Sequence, residues 1–180
     1  MSLLEHAKAE LLRSNVDRKH PFRLLYLSTF GEFPEVRTVV KRNIDADLKL
    51  TFFTDSRSPK VEQIWDNPRV SVLFYHPKKK LQIRLYGQAS IIDEGHGDFD
   101  RYLQSVKESP SMKDYTTIQA PGQMLSEEPE AGVLFGDEIY FVAIEIQAQK
   151  VDVLQLGWES HQRSLFIRDR SRWIQQELVP

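Results

Sequence analysis

The sequence predicts a mainly β protein with flanking helices, folded as a closed or nearly closed barrel of about seven or eight antiparallel strands. Most of the chain consists of short runs rich in Val, Thr, Leu and aromatic residues, and turn residues separate these runs. Helical periodicity is confined to three places. The chain has 180 residues and no visible linker or repeat, so we expect residues 1–180 to form one domain.

The three predicted helices each carry apolar residues at helical spacing. Residues 2–14 form an amphipathic helix at the start of the chain. A second helix begins after Ser58, which is placed to cap it, and Pro59 suits the first helical position. This helix ends near Asn67, which precedes a proline. The third helix covers residue 98 to about residue 107.

The predicted strands are separated by these helices and by turns. Alternation after Leu81 places Gln82 and Arg84 on one strand face and apolar residues on the other. Residues 108–136 are the least regular stretch, and the long strand that follows is expected to be interrupted or bent. The predicted strands cover residues 22–30, 35–43, 48–54, 69–75, 81–92, 138–153, 164–168 and 173–179.

Composition and charge exclude several classes of protein. The chain has no cysteine, which excludes disulfides, thiolate metal sites and a cysteine nucleophile. The formal net charge of −2 gives no basic excess that would indicate a nucleic-acid partner. No apolar run reaches the roughly 18 residues that a spanning helix needs, and no signal-peptide pattern is visible. We therefore expect a cytoplasmic protein that binds neither membranes nor nucleic acids.

Two segments point to a site for a phosphate monoester. Arg37 begins one predicted strand, Thr54 ends the next, and Ser58 and Lys60 start the following helix. A helix N-terminus attracts anions, arginine can bind phosphate through two parallel hydrogen bonds, and lysine adds a point charge. An ordinary capped helix with a surface ion pair, such as Arg57 with a neighbouring aspartate, remains the alternative at this point.

Other polar patterns are weaker. Gln82 and Arg84 could contact a polar heterocycle or could form the exposed face of an edge strand. His161 and Arg163, with Gln155 nearby, form a second polar group late in the chain. The five histidines show no metal-ligand spacing, so no metal site is predicted. No Gly-x-Ser-x-Gly motif is present, so the sequence shows no motif that indicates a hydrolase.

Four stretches taken in order resemble the pyridoxamine 5′-phosphate oxidase superfamily of FMN-binding split β-barrels. The similarity is greatest to a short, poorly characterised branch related to a cyanobacterial group. The end of the chain, residues 173–180, is similar to the terminal strand of that family. The stretches are Val36-Arg37-Thr38-Val39-Val40, residues 52–60, residues 67–74 and Gln82-Ile83-Arg84-Leu85-Tyr86-Gly87.

The resemblance implies an FMN-binding split β-barrel that forms a homodimer with FMN at the subunit interface. Arg37 and Lys60 would bind the FMN phosphate with help from the Ser58 hydroxyl, and Gln82 would contact the flavin or its ribityl chain. Strand backbone would line the flavin ring. Gln123 and Arg163 would reach the flavin held mainly by the other subunit. The implied cofactor residues are Arg37, Thr38, Val39, Val40, Phe53, Thr54, Ser58, Lys60, Gln82, Gln123 and Arg163.

The substrate side departs from the family pattern. The Tyr…Arg…Ser set that binds the substrate phosphate has no clear equivalent in residues 102–115. The family's Arg-x-His-x-Arg motif reads Glu159-Ser160-His161-Gln162-Arg163, and its flavin-packing tryptophan is Leu154. Arg42 and His161 are the substrate-side candidates, and no catalytic residue is assigned.

The resemblance therefore implies an FMN-binding flavoprotein, an oxidoreductase with an unknown small-molecule substrate. A genuine pyridoxamine or pyridoxine 5′-phosphate oxidase is one alternative. A non-catalytic flavin-binding or redox-sensing module is a second. A split barrel that has lost FMN, or that holds haem or a deazaflavin instead, is a third.

Overall fold

The computed structural model describes residues 2–125, 132–157 and 160–180, which form three α-helices and eight β-strands. Short 3₁₀ helices cover Pro21–Arg23 and Pro110–Tyr115. The α-helices are α1 (Leu3–Val16), α2 (Pro59–Asp66) and α3 (Phe99–Lys107). The strands are β1 (Leu24–Phe30), β2 (Pro34–Ile44), β3 (Lys49–Thr54), β4 (Arg69–His76), β5 (Leu81–Ile92), β6 (Val142–Leu156), β7 (His161–Asp169) and β8 (Arg172–Leu178).

Six of the strands close into an antiparallel barrel. The strand order is β3-β2-β1-β4-β5-β6-β7-β8, and an additional pairing of β3 with β6 joins the two ends of the first six strands. The β7–β8 hairpin extends the sheet beyond the barrel along the second half of β6. This architecture confirms the prediction of a mainly β split barrel with flanking helices, although only six of the eight strands close the barrel.

The barrel interior is filled by the alternate, inward-facing residues of its strands. Phe52 and Phe74 of these strands are fully buried in this core, as is Phe22 of the first 3₁₀ helix, and burying aromatic side chains of this size contributes strongly to the free energy of folding. Helix α1 covers this core with Leu4, Ala7 and Leu11. A second cluster under α3 packs on the barrel wall and contains Ile92, Phe99, Val106, Tyr115, Phe141 and Ala143.

Most predicted element boundaries agree with the structure to within a few residues. The β5 range is the predicted one, whereas α1 continues to Val16 and begins with a capping box between Ser2 and Glu5. The long strand β6 begins at Val142 rather than at residue 138. Within the irregular stretch, residues 126–131 lie outside the described part of the chain. No helix among the described residues has the length and apolar character to cross a bilayer.

The predicted bend in β6 is a β-bulge opposite Gly87. The register with β5 shifts between Tyr86 and Gly87, whose partners are Lys150 and Ala148, so Gln149 is the extra residue. A Cβ atom added at Gly87 would lie 2.1 Å from the carbonyl oxygen of Gln147. Only glycine therefore allows the two strand backbones to approach this closely.

Gly87→Ala is expected to lower the free energy of unfolding by about 3 kcal/mol, because the clash is with strand backbone that is held on both sides. Urea denaturation of the purified variant measures the change. Gly97→Ala is the matched control, since a Cβ there meets no atom within 4 Å. Equal stability of the two variants would contradict the close approach at the bulge.

Candidate functional site

Lys60 lies in the first turn of α2 and reaches back to the end of β3. Its Nζ donates hydrogen bonds to Thr54 Oγ1 at 3.0 Å and to Ser58 Oγ at 2.5 Å. Both hydroxyl residues are buried. Among the described residues, no carboxylate lies within ion-pair distance of this ammonium. A half-buried cation held only by neutral hydroxyls is an incomplete arrangement that an anion would complete.

The predicted side-chain cap of α2 is wrong. Ser58 is the N-cap residue, but its side chain makes no capping hydrogen bond; the hydroxyl oxygen accepts from Lys60 instead. The first turn of the helix is held by a backbone hydrogen bond, in which the N–H of Val61 donates to the carbonyl oxygen of Ser58 at 2.8 Å. The Ser58 hydroxyl is thus directed to the same place as the lysine.

Arg37 supplies a second cation from β2. Its guanidinium is held by Thr29, Glu35 and Gln63, and Gln63 Oε1 accepts from Arg37 Nη2 at 3.2 Å. Burial lowers the pKa of Lys60, the positive charge of Arg37 lowers it further, and Asp55 acts in the opposite direction. A bound anion would offset the repulsion between the two cations.

These cations open into one pocket, the β2–β3 pocket, with a volume of about 240 Å³. Asp114 and Tyr115 of the second 3₁₀ helix and Phe52 of β3 also line it. The structure therefore brings together most of the cofactor residues that the sequence predicted. The predicted residues that line the pocket are Arg37, Thr38, Val39, Val40, Arg42, Phe53, Thr54 and Lys60.

Arg42 lies in the same pocket. Its Nη2 donates to Ser111 Oγ at 3.2 Å and to Tyr115 Oη at 3.4 Å, and its guanidinium carbon lies 5.2 Å from the centre of the Phe53 ring. The buried Nε of Arg42 has no hydrogen-bond partner in the described part of the chain. Sequence reasoning missed Ser111 and Tyr115, because they meet Arg42 across 69 and 73 residues of sequence.

Gln82, Leu154 and Arg163 form a separate set, the outer-face group. They are cross-strand neighbours on β5, β6 and β7, because Gln82 pairs with Leu154 and Leu154 pairs with Arg163. Arg163 and Arg84 both bind the buried carboxylate of Asp152, with N–O distances of 3.0 and 2.6 Å. Arg163 lines a different pocket of about 560 Å³. The structure of one chain therefore divides the predicted cofactor residues between two surfaces.

The remaining predicted residues lie at the periphery. Gln123 is exposed, and its Oε1 accepts from the backbone N–H of Ala120 at 3.1 Å. His161 is exposed at the start of β7. The acidic residue predicted to replace a family arginine, Glu159, lies outside the described residues. Asp55 and Arg57 do form the ion pair that was the alternative interpretation, at 2.8 Å, but this pair coexists with the Lys60 arrangement.

The structure also brings together Glu10, His20 and His76, whose potential metal-ligand atoms lie within 4.8 Å of one another. His20 Nδ1 accepts a hydrogen bond from the backbone N–H of Phe22 at 3.1 Å, and His76 Nδ1 accepts one from the backbone N–H of Lys79 at 3.3 Å. Each neutral ring therefore carries its proton on Nε2, where it has no lone pair for a metal ion. Glu10 is also bound by the Lys79 ammonium at 2.6 Å. These contacts favour a hydrogen-bonded network, rather than a metal site, as the role of the three residues. The network joins α1 to the barrel.

A split barrel with a cationic pocket between β2 and β3 defines a class of cofactor-binding domain, and comparison with known proteins gives the family. Residues 4–93 match the model of the pyridoxamine 5′-phosphate oxidase FMN-binding domain. This match covers half of the chain and includes every residue that lines the β2–β3 pocket from β2, β3 and α2. The chain belongs to this family.

Its relatives include proteins named pyridoxine/pyridoxamine 5′-phosphate oxidase. The one from Granulibacter bethesdensis is 27% identical over 165 residues, which cover 82% of this chain and 75% of that protein. The one from Deinococcus deserti is 40% identical over 76 residues, which cover 42% of this chain and 35% of that protein. The second alignment thus spans only about a third of the relative's own length.

Solved structures show the same fold across the whole chain. A pyridoxamine 5′-phosphate oxidase-related, FMN-binding protein from Nostoc punctiforme has a TM-score of 0.75 at 24% identity and covers 100% of this chain and 99% of that one. PhzG from Burkholderia lata, solved with tetrahydrophenazine-1-carboxylic acid, has a TM-score of 0.74 at 22% identity. It covers 98% of this chain and 92% of that chain.

Proposed function

We propose that this protein is an FMN-binding flavoprotein, an oxidoreductase of the pyridoxamine 5′-phosphate oxidase-like type. The observation that carries the proposal is the half-buried Lys60 ammonium, which is bound by two hydroxyls, has no carboxylate partner among the described residues and shares a pocket with Arg37. Two cations and two hydroxyls match the oxygens of a phosphate monoester.

The residues present fit FMN. The phosphate would bind between Arg37 and Lys60, and the backbone of β2 and the end of β3 would line the flavin ring. When bound, FMN would supply the chemistry by accepting a hydride and passing electrons to an acceptor. The chain's own residues would anchor the phosphate, hold the ring against strand backbone and restrict access of water to it.

We propose that the flavin site is completed by a second copy of the chain. The β2–β3 pocket, at about 240 Å³, is smaller than the roughly 300–1,000 Å³ of ordinary small-molecule sites. The outer-face group with Gln82 and Arg163 lies on a different surface of the chain. A homodimer in which this surface meets the partner's β2–β3 pocket would join the two halves of the site.

An exposed apolar patch next to the pocket fits such an interface. Leu24 pairs with Val40, and Tyr26 pairs with Leu73, so these residues share the outer face of β1, β2 and β4. Leu24, Tyr26 and Val40 are all exposed in the single chain, and Val40 also lines the β2–β3 pocket. A patch of this kind beside a binding pocket favours a protein interface.

The absorption spectrum of the purified protein, before and after addition of FMN, tests the cofactor. The expected result is the visible band pattern of oxidised flavin, released on denaturation and identified as FMN by chromatography. A colourless protein that shows no binding in an FMN titration would overturn the proposal.

Tyr26→Glu is expected to convert a dimer to a monomer and to weaken FMN binding at least tenfold, because it places a charge in the apolar patch. Light scattering after size-exclusion chromatography gives the oligomeric state. Val16→Glu, on an exposed residue at the end of α1, is the control. A Tyr26→Glu protein that stays dimeric would exclude this face as the interface.

Arg42 favours a second candidate, the oxidation of pyridoxamine or pyridoxine 5′-phosphate. Arg42 lines the pocket and donates to the Ser111 hydroxyl, and Arg42 Nε lacks a partner within the described ranges. Such a pair could bind a substrate phosphate. A direct assay for pyridoxal 5′-phosphate with the FMN-loaded protein separates this candidate from an oxidoreductase with another substrate.

A further inference from the structure

Arg37 is already bound to an anion, the carboxylate of Glu35. This side chain accepts a hydrogen bond from Arg37 Nη2, and its second oxygen accepts from Gln63 Nε2 at 2.8 Å. Glu35 is two residues before Arg37 on the same strand, and its side chain is 45% exposed, against 20% for the arginine. The charge of Arg37 is therefore partly neutralised before any ligand binds.

The other contacts of Arg37 are neutral. Thr29 Oγ1 accepts from Arg37 Nη1 and donates to Gln63 Oε1 at 2.5 Å, and the same Gln63 oxygen accepts from Arg37 Nη2. Thr29 is buried in β1, and Gln63 belongs to α2. Because these two groups carry no charge, they fix the direction of the guanidinium without competing for its charge.

Lys60 has no comparable competitor. Its hydrogen bonds go to hydroxyls, and the ion pairs of the described residues do not include it. Lys60 and Arg37 thus differ: no carboxylate lies within ion-pair distance of the lysine among the described residues, whereas the arginine is paired with Glu35. A phosphate that binds to both must share Arg37 with Glu35.

We propose that Glu35 is a specificity-determining residue of the β2–β3 pocket, whose carboxylate competes with the ligand phosphate for Arg37. It thereby limits the preference of the pocket for phosphorylated FMN over unphosphorylated riboflavin. Thr29 and Gln63 are positioning residues that keep Arg37 directed at the pocket. This inference rests on the proposed function, since it concerns the same flavin site.

The test compares the dissociation constants of FMN and riboflavin for the full chain and for Glu35→Gln. Glutamine can still accept a hydrogen bond from Arg37, so the change removes charge and keeps the geometry. The expected result is FMN binding that is about threefold tighter, the effect of one exposed ion pair, with unchanged riboflavin binding. The FMN preference of the variant should also depend more steeply on salt concentration, because an additional charge is uncompensated.

Glu32→Gln is the matched control, because it removes the same charge from the β1–β2 connection at an exposed residue. FMN binding by Glu35→Gln that is unchanged or weaker, relative to riboflavin and to this control, overturns the role of Glu35. Failure of the unchanged protein to bind either flavin overturns the proposed function and this inference together.

Gln63→Leu tests the positioning role. It should weaken FMN binding several-fold, leave riboflavin binding unchanged, and have no further effect in a protein that already carries Arg37→Met. A loss of affinity for both flavins would indicate a general structural defect. An effect on FMN that persists without Arg37 would show that Gln63 does not act through the arginine.

Discussion

Lys60→Met is expected to weaken FMN binding by about 10- to 100-fold, the value of a charge-assisted hydrogen bond of roughly 1.5–3 kcal/mol. Unlike the guanidinium of Arg37, which pairs with Glu35, this ammonium has no acidic partner within ion-pair distance among the described residues. A phosphate can therefore bind to it without displacing a paired carboxylate. Titration of the flavin-free protein with FMN, followed by flavin fluorescence, measures the change.

Three further readouts separate this role from a folding defect. Riboflavin affinity should be unchanged, because it has no phosphate. The ligand-free variant should be at least as stable as the unchanged protein, since the substitution removes a half-buried cation without a counter-ion. Because burial lowers the pKa of Lys60, FMN affinity of the unchanged protein should decrease in the alkaline range as the ammonium deprotonates.

Lys107→Met, on an exposed lysine, is the control for Lys60→Met. If Lys60→Met bound FMN as tightly as Lys107→Met does, Lys60 would not bind the phosphate.

Lys41→Met is expected to stabilise the protein by about 1–3 kcal/mol at pH 7. Lys41 is only 2% exposed, and its ammonium donates to Asn15 Oδ1 as its side-chain partner. Burial lowers the pKa of Lys41 to about 8, and the charge of Arg23 contributes. A shift of this size corresponds to roughly 3 kcal/mol of destabilisation when the lysine is charged. Asn15 stays satisfied without the lysine, because its side chain also bonds the backbone N–H and C=O of Ile44.

The pH dependence gives a second check. The unfolded chain keeps the Lys41 proton up to about pH 10.5, whereas the folded protein releases it near pH 8. Between these values the unfolded state binds more protons, so the free energy of unfolding should rise with pH. Lys41→Met should remove this contribution. Urea denaturation at pH 7 and pH 9.5 measures it, with Lys107→Met again as the control. The prediction would be contradicted if Lys41→Met were less stable than the unchanged protein at pH 7. It would also be contradicted if the free energy of unfolding of the variant rose with pH as steeply as that of the unchanged protein.

The sequence predicted the strands well where one face of a strand is buried in the barrel. The alternation after Leu81 gives β5 because the barrel core takes every second side chain there. The predicted strand over residues 138–153 includes apolar residues from Ile139 to Phe141, but Phe141 packs under α3 and the backbone N–H of Tyr140 donates to the carbonyl oxygen of Tyr115 instead. Local pattern cannot distinguish these two uses of apolar residues.

The site was predictable only in part, for the same reason. Arg37 and Lys60 were found because local strand and helix patterns place them, and a family resemblance supported them. The side chains that hold Arg37 in place come from other elements, Thr29 from β1 and Gln63 from α2. In the same way, Asp152 of β6 binds Arg163 of β7. Such contacts depend on how the barrel closes, which no local pattern shows.

Barrel closure also decides where the sheet could be extended. Each barrel strand has hydrogen-bonded neighbours on both sides, whereas β8, in the part of the chain that the structure describes, pairs only with β7. The unpaired backbone groups of β8 would be a template for strand addition by another molecule. Arg172, Gln175, Gln176 and Glu177 give this strand a polar and charged surface. These side chains thus oppose aggregation through the exposed edge of β8.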